Sequence, residues 1–319
     1  MSCYNPLKAF VLGQNPENGK KIIKVVSKNY DGNEYSSAGF NQIGIPCGKC
    51  IGCRLDYSRT WADRMLAEST LYKDNIFLTL TYDNEHLPPK KDGSPINSLV
   101  LRDVQLFLKR LRKELSPQRI RFFCAGEYGS QSMRPHYHLI LFNCKLDDLK
   151  FLKENELHQP YFVSETISKL WTYGFHLIAN VTWETCAYTA RYVLKKQKGK
   201  GSSVYEKYNF TPEFSTMSRK PGIGKDFFDE RKEELYAYGS ISLPTRDGAK
   251  TIRPCKYYDN LFDVEYPEIM CQIKEDRQNA MIEYNKIKSS LTNLSYIDSL
   301  RAAEVNKEAT VKALKRKEL

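Results

Sequence analysis

Two histidines stand two residues apart in the run Arg134-Pro-His136-Tyr-His138-Leu-Ile-Leu-Phe142. The run reads as a strand, along which side chains alternate faces, so both imidazoles project from one face, about 6–7 Å apart. At that spacing they can share one divalent cation, while Tyr137, Leu139 and Leu141 turn the other way, into a core. A single histidine is most often structural. Two of the chain's five on one face of an apolar strand give a metal site real weight. Glu127 ends the preceding apolar run, and in a hairpin it would sit near His136 at the mouth of the loop. Glu127, His136 and His138 would then form a compact site with positions left for substrate oxygens and water. Mixed oxygen and imidazole ligation suits Mg²⁺ or Mn²⁺, the usual partners of phosphate groups. Taken alone, Glu127 reads as a solvated loop carboxylate.

A second constellation is Ala187-Tyr188-Thr-Ala-Arg191-Tyr192-Val-Leu-Lys195-Lys196. Tyr188 and Tyr192 fall on one face of a helix, four residues apart. A phenol titrates near 10 and is a poor nucleophile until helped. A nearby metal would draw charge from a phosphate and ease attack on it. Attack would give a covalent 5′-phosphotyrosine and a free 3′-hydroxyl. Because the link retains the bond energy, a 3′-hydroxyl can later reseal the strand. A second tyrosine would let one hold the first cleaved end while the other cuts again. Without the histidines, tyrosines at this spacing simply cover apolar neighbours. Arg191, Lys195 and Lys196 add positive charge suited to phosphates, and also ordinary for a helix C-terminus.

Cys47, Cys50 and Cys53 form two overlapping C-x₂-C units whose thiolates can hold three corners of a zinc tetrahedron, with Cys3 as a candidate fourth. The alternative is a cluster of free thiols near a helix N-terminus. His86 follows the Asp83-Asn84 turn and reads as a turn or capping residue. His158 and His176 have no partner that the sequence reveals.

The elements that must position these residues follow from periodicity. The first 45 residues read as an irregular region with a short strand or two. A helix is expected from about Asp56 to Tyr72 and a strand over Ile76–Tyr82. Asn97 or Ser98 would cap a helix striped by Leu101, Val104, Leu108, Leu111 and Leu115. Strands are expected at Arg119–Gly126 and His136–Asn143, a helix at Val163–Trp171, a strand at Gly174–Val181, and a last helix capped by Thr182 and running to about Lys196. The fold class is thus α+β, with a largely antiparallel sheet in β-α-β-β-α-β, ferredoxin-like, order, helices on one face and a tyrosine-bearing helix appended. The organisation expected is an N-terminal region over 1–55 carrying the cysteines, a core over 56–198, and a region over 199–319 that is mixed and then helical from about Pro267, of no legible role.

With Glu127 upstream and the two-tyrosine helix downstream, His136-Tyr-His138 resembles the HUH endonucleases that initiate rolling-circle replication, and among them the replication initiators of single-stranded DNA phages of the microvirus family, gokushovirus branch. Pro46-Cys-Gly-Lys-Cys-Ile-Gly-Cys-Arg54, Phe77-Leu-Thr-Leu-Thr-Tyr82 and Gly126-Glu-Tyr-Gly129 are similar to segments of the same proteins. The likeness covers roughly Cys47 to Lys196. It implies an HUH nickase core, Glu127, His136 and His138 as metal ligands, Tyr188 and Tyr192 as nucleophiles, and an origin-specific nick in the viral strand ended by rejoining it into a circle. It also implies work on single-stranded DNA in the cytoplasm of a bacterial host, beside a host helicase or polymerase.

Composition agrees with such a partner. Lysine and arginine number 49 against 38 acidic residues, a net charge of +11, and the 21 tyrosines supply aromatic faces for unpaired bases. An apolar run long enough to cross a bilayer is absent from the sequence, and so is a secretion signal at Met1-Ser-Cys-Tyr-Asn-Pro6. Nine cysteines, an odd count, fit a reducing compartment. No G-x₄-G-K-[ST] loop is present, so unwinding would fall to a partner. Three rivals remain open: a zinc-stabilised DNA-binding protein that does not cut, a metallohydrolase in which water attacks, and a transposase or relaxase using the same tyrosine chemistry.

Overall fold

The computed structural model describes residues 3–17, 21–27, 30, 33–90, 94, 96–129, 132–155, 158–191, 203–245 and 248–314. The chain divides into two compact units, one made of Met1–Tyr57 with Asp276–Leu319, the other of Ser58–Glu275.

In the first unit the N-terminal region is more regular than its sequence suggests. Strands β1 (Leu7–Gln14), β2 (Lys21–Val25) and β3 (Asn41–Ile45) form an antiparallel sheet in the order β2-β1-β3, with helix α1 (Asn33–Ser37) before β3. Only the central strand carries a core: Ala9 and Phe10 are buried, and Phe10 stacks on Tyr35. The flanking strands are largely exposed, which erases the alternation that would have marked them.

Helix α2 (Ile51–Ser69) begins directly after Cys50, ahead of the expected Asp56, and strand β4 (Asn75–Tyr82) follows. The second unit continues with α3 (Leu101–Glu114), β5 (Arg121–Tyr128), β6 (Pro135–Phe142), β7 (Leu149–Glu154), β8 (Pro160–Ser164), α4 (Glu165–Leu170), β9 (Gly174–Asn180) and α5 (Trp183–Arg191). After these come α6 (Ser203–Lys207), β10 (Phe214–Met217), α7 (Lys225–Ala237), β11 (Ile241–Thr245), β12 (Gly248–Ile252) and α8 (Lys256–Glu265). Two helices close the chain, α9 (Pro267–Ser290) and α10 (Tyr296–Leu314).

The large sheet is α+β in setting and antiparallel at every pairing, in the order β10-β5-β6-β4-β9-β8-β7. Helices cover both faces, not one. Leu78, Leu80, Tyr137, Leu139 and Leu141 pack on Val104, Phe107, Leu108 and Leu111 of α3 and on Ile167 and Trp171 around α4. On the opposite face Phe77, Phe123, Ile140 and Phe142 meet Ala62 and Met65 of α2 and Cys186, Ala187 and Ala190 of α5. Two covered faces explain why Leu139-Ile-Leu-Phe142 is apolar without alternation. A third cluster joins Leu66 and Ala67 of α2 to α7, the β11–β12 hairpin and α8.

Three local expectations are corrected. Neither Asn97 nor Ser98 caps α3: its N-cap is Val100, and Ser98 Oγ instead bonds Thr211 Oγ1. The backbone ahead of the helix is held by sheet tyrosines, the Val100 N–H donating to the Tyr137 hydroxyl at 2.8 Å and the Leu99 N–H to that of Tyr128 at 3.0 Å. The stretch expected to be helical from Val163 is a strand to Ser164, which then caps α4 by accepting from the Ile167 N–H. The unit also runs past residue 198, because β10 pairs with β5 at the sheet edge. Thr182 caps α5 as expected, its hydroxyl accepting from the Thr185 N–H while Thr185 accepts from the Thr182 N–H.

Candidate active site

Register decides which side chains share the site. Glu127 and His136 are direct cross-strand partners, and His138 stands opposite Ala125 one step along the same face. Directly opposed residues in an antiparallel ladder point to the same side. Glu127 Oε1 lies 2.9 Å from His138 Nε2, with Glu127 only 3% and His138 5% exposed. A carboxylate so deeply buried needs a cationic or hydrogen-bonding neighbour, and the imidazole is one.

Strand β4 supplies what the sequence reading missed. Thr81 is opposite His136 and Thr79 opposite His138. Each Oγ1 lies 3.0 Å from the Nδ1 of its histidine. When Nδ1 carries the proton it donates to the threonine, and Nε2 keeps its lone pair for a cation. The repeat Leu-Thr-Leu-Thr was the available signal: two hydroxyls on one face of a strand. Gly129 is needed as well. A Cβ there would come within 2.8 Å of His136 Nε2, so the loop can pass this ring only without a side chain.

Tyr188 reaches the same place from α5. Its half-buried ring meets His138 edge-on with centroids 5.3 Å apart, and Phe77 stacks on His138 from within the sheet. Arg191 is exposed at the end of the described helix, whereas Tyr192, Lys195 and Lys196 lie outside the described residues. The donors present suit an oxygen-preferring divalent ion: one carboxylate and two imidazoles oriented from behind. Glu127 and His138 are already in contact, while His136 Nε2 is beside Gly129.

The other histidines have structural partners. His86 donates its backbone N–H to Asp83 and pairs with it through the ring, as a turn residue does. His158 faces Glu154, and His176 accepts the Ser164 N–H at the start of α4.

Among the described residues, the group whose ligand atoms all lie within 4.8 Å of one another is Cys3, Cys47, Cys50 and Cys53. Backbone N–H groups point at the sulfurs: that of Cys47 at Cys3, those of Lys49 and Cys50 at Cys47, and that of Cys53 at Cys50. Burial alone would raise the Cys47 thiol, but these N–H donors outweigh it and bring its pKa down to about 7. Cys3 and Cys50 sulfurs are 3.9 Å apart, beyond a disulfide and close to the about 3.8 Å edge of a tetrahedron with Zn–S bonds of about 2.3 Å.

Comparison with known proteins bears on the whole chain. It is 34% identical to the Replication-associated protein ORF2 of Spiroplasma virus 4 over an alignment taking in 99% of this chain and 98% of that protein. The chain belongs to the replication-associated proteins of the microviruses. Similarity to the Replication-associated protein VP4 of Bdellovibrio phage phiMH2K is 35% over 84% of this chain and 79% of that protein. To the Replication-associated protein ORF4 of Chlamydia phage 1 it is 32% over 50% of this chain and 41% of that protein. The family of replication-associated proteins of the ORF2 type matches residues 75–197, the stretch of this microvirus protein that holds Glu127, both histidines and both tyrosines. No solved structure matches the chain. Among the described residues, no helix of this replication-associated protein is long and apolar enough to cross a membrane.

Proposed function

We propose that this replication-associated protein initiates rolling-circle replication by nicking single-stranded viral DNA at its origin through a tyrosine, and ends it by rejoining the strand. The observation that carries the reading is the contact of Tyr188 with His138, on the face where His138 meets Glu127 and is backed by Thr79. A helix tyrosine, two strand histidines and a buried carboxylate have no common structural need, but they are what phosphoryl transfer to a phenol requires.

Glu127, His136 and His138 would hold Mg²⁺ or Mn²⁺. Such a cation, when bound, neutralises charge on the scissile phosphate and on the departing oxygen. The Tyr188 oxygen then forms a bond to phosphorus as the bond to the 3′-oxygen breaks. The phenol loses its proton and the 3′-oxygen gains one, so the step needs no oxidant. Rejoining is the reverse, with a 3′-hydroxyl attacking the 5′-phosphotyrosine. Tyr192 would serve as the second nucleophile, and Arg191, Lys195 and Lys196 would hold the strand. The setting is the cytoplasm of the bacterial host, with unwinding and synthesis left to a host helicase and polymerase.

The cysteines fit a separate structural role. We infer that Cys3, Cys47, Cys50 and Cys53 bind one Zn²⁺, tying the chain's start to the beginning of α2. The fit lies in the four gathered sulfurs and the N–H groups aimed at them, which stabilise thiolate charge. Purified protein should carry one equivalent of zinc by elemental analysis, and Cys3→Ser should lose it; metal-free protein with unchanged stability would remove this assignment.

The nicking reading is tested by incubating the protein with labelled single-stranded DNA of its own genome and Mn²⁺, then mapping peptides. A DNA–peptide adduct on Tyr188 or Tyr192, abolished by chelator and by His138→Ala, is the expected result. Cutting without an adduct, unaffected by changing both tyrosines to Phe, would make water the nucleophile.

A further inference from the structure

The cross-strand row that contains the site does not stop at Thr81. Glu127 faces His136, His136 faces Thr81, and Thr81 faces Phe175 of β9. All four side chains therefore project from the same face, at neighbouring positions on four adjacent strands. Phe175 is 68% exposed, although most apolar residues of the sheet are buried. It lines a groove of about 570 Å³ together with Thr81, Asp83, Asn84, Glu85 and Arg134. The groove thus shares Thr81 with the histidine site.

We propose that this groove is a base-binding subsite, in which the unpaired base of a nucleotide flanking the scissile phosphate stacks on Phe175. The inference rests on the nicking reading for the position of that phosphate. Distance suits it: two strand spacings, about 10 Å, separate His136 from Phe175, which is within the reach of one nucleotide. Charge decides between base and phosphate. Asp83 and Glu85 would repel a phosphate, whereas with Asn84 they offer oxygen acceptors to an exocyclic amino group. Arg134 is turned to the protein, donating to the Tyr82 carbonyl and to Asn84 Oδ1, so it shapes the groove wall and leaves the ring as the binding face. Adenine, cytosine and guanine, which carry amino groups, are favoured over thymine.

The backbone is arranged to keep the ring there. Gly174 has φ +148°, and a Cβ on it would lie 2.3 Å from the Asp83 nitrogen and 2.6 Å from the Thr81 carbonyl oxygen. Strands β4 and β9 thus approach closely at the residue before Phe175.

The test uses the whole protein and short single-stranded oligodeoxynucleotides, each with one 2-aminopurine, titrated in chelator so that nothing is cut. Wild type should quench the fluorescence of the probe at one position and bind it; Phe175→Ala should lose the quench and bind about 5- to 150-fold more weakly. Phe175→Trp should restore both, and thymine at that position should bind more weakly than adenine. Thermal melts of the alanine variant should match wild type, since the ring is outside the core. Unchanged quench and affinity in Phe175→Ala would overturn the subsite. Adduct formation with Mn²⁺, measured in parallel, separates the two readings: an adduct with no effect of Phe175 sinks the subsite alone, and a Phe175-dependent quench without an adduct sinks the nicking reading alone. Wild type that binds no single-stranded DNA sinks both.

Discussion

At His138 three elements meet: Thr79 of β4 touches Nδ1, Glu127 of β5 reaches Nε2, and Tyr188 of α5 lies edge-on to the ring. The ring's direction is set by the threonine, so Thr79→Val, which keeps shape and removes the hydroxyl, should weaken Mn²⁺ dependence of adduct formation about 10- to 100-fold. A metal titration of the adduct yield measures this, and an unchanged half-saturation would show that Thr79 does not orient the ring. Between the histidines, Tyr137 points to the other face, where its hydroxyl bonds Val100 and lies 2.9 Å from that of Tyr82. Tyr137→Phe should keep the packing yet leave the Val100 N–H unpaired, lowering stability by about 1–3 kcal/mol in denaturant melts. Glu127, His136 and His138 were legible because strand alternation alone puts both histidines on one face. The threonines were not, since threonine is an ordinary strand former and only the pairing of β4 with β6 gives it a role.

Elements are locked by buried polar contacts as much as by apolar stripes. Glu68 of α2 is fully buried, pairs with Arg121 of β5 and accepts the Gly224 N–H, while Arg121 also donates to the carbonyls of Pro221 and Gly222. The pair therefore fastens the segment before α7 to the sheet. Glu68→Gln leaves Arg121 charged and buried without its counterion, and should cost about 3–5 kcal/mol in a urea melt. His176 provides a pH response at another junction. Burial holds its pKa below 6.5, against the pull of Asp148, and the neutral ring accepts the Ser164 N–H ahead of α4. A depressed folded-state pKa means that the unfolded chain takes up protons first, so stability is full above 6.5 and falls as pH drops below it. His176→Gln, which can offer an amide oxygen to the same N–H, should flatten the melting temperature across that acid range. Sequence periodicity found β4, α3, β5, β6 and β9 because each buries a regular stripe. It missed the β7–β8 hairpin, whose Leu149–Glu154 strand is exposed on every residue and carries no pattern.

For the molecule as a whole, the +11 charge predicts affinity for single-stranded DNA that falls steeply with salt. A log–log plot of binding constant against salt should be linear with a slope of several units, about 0.7 for each phosphate neutralised. A flat plot would place the affinity in stacking alone. The ferredoxin-like core was readable, whereas the covering of both sheet faces was not, because it depends on α2 and α5 being brought together by the strand order. The third cluster was equally hidden: its residues are spread from Leu66 to Met270, and no local pattern links them. The layout of the chain also bears on its synthesis. The unit that carries the site is continuous, Ser58–Glu275, while the other is assembled from Met1–Tyr57 and Asp276–Leu319. A ribosome delivers the whole of the continuous unit before the last segment of the divided one. The nascent chain can thus finish its sheet, and with it the histidine site, while the N-terminal strands still wait for the helical segment that completes their unit.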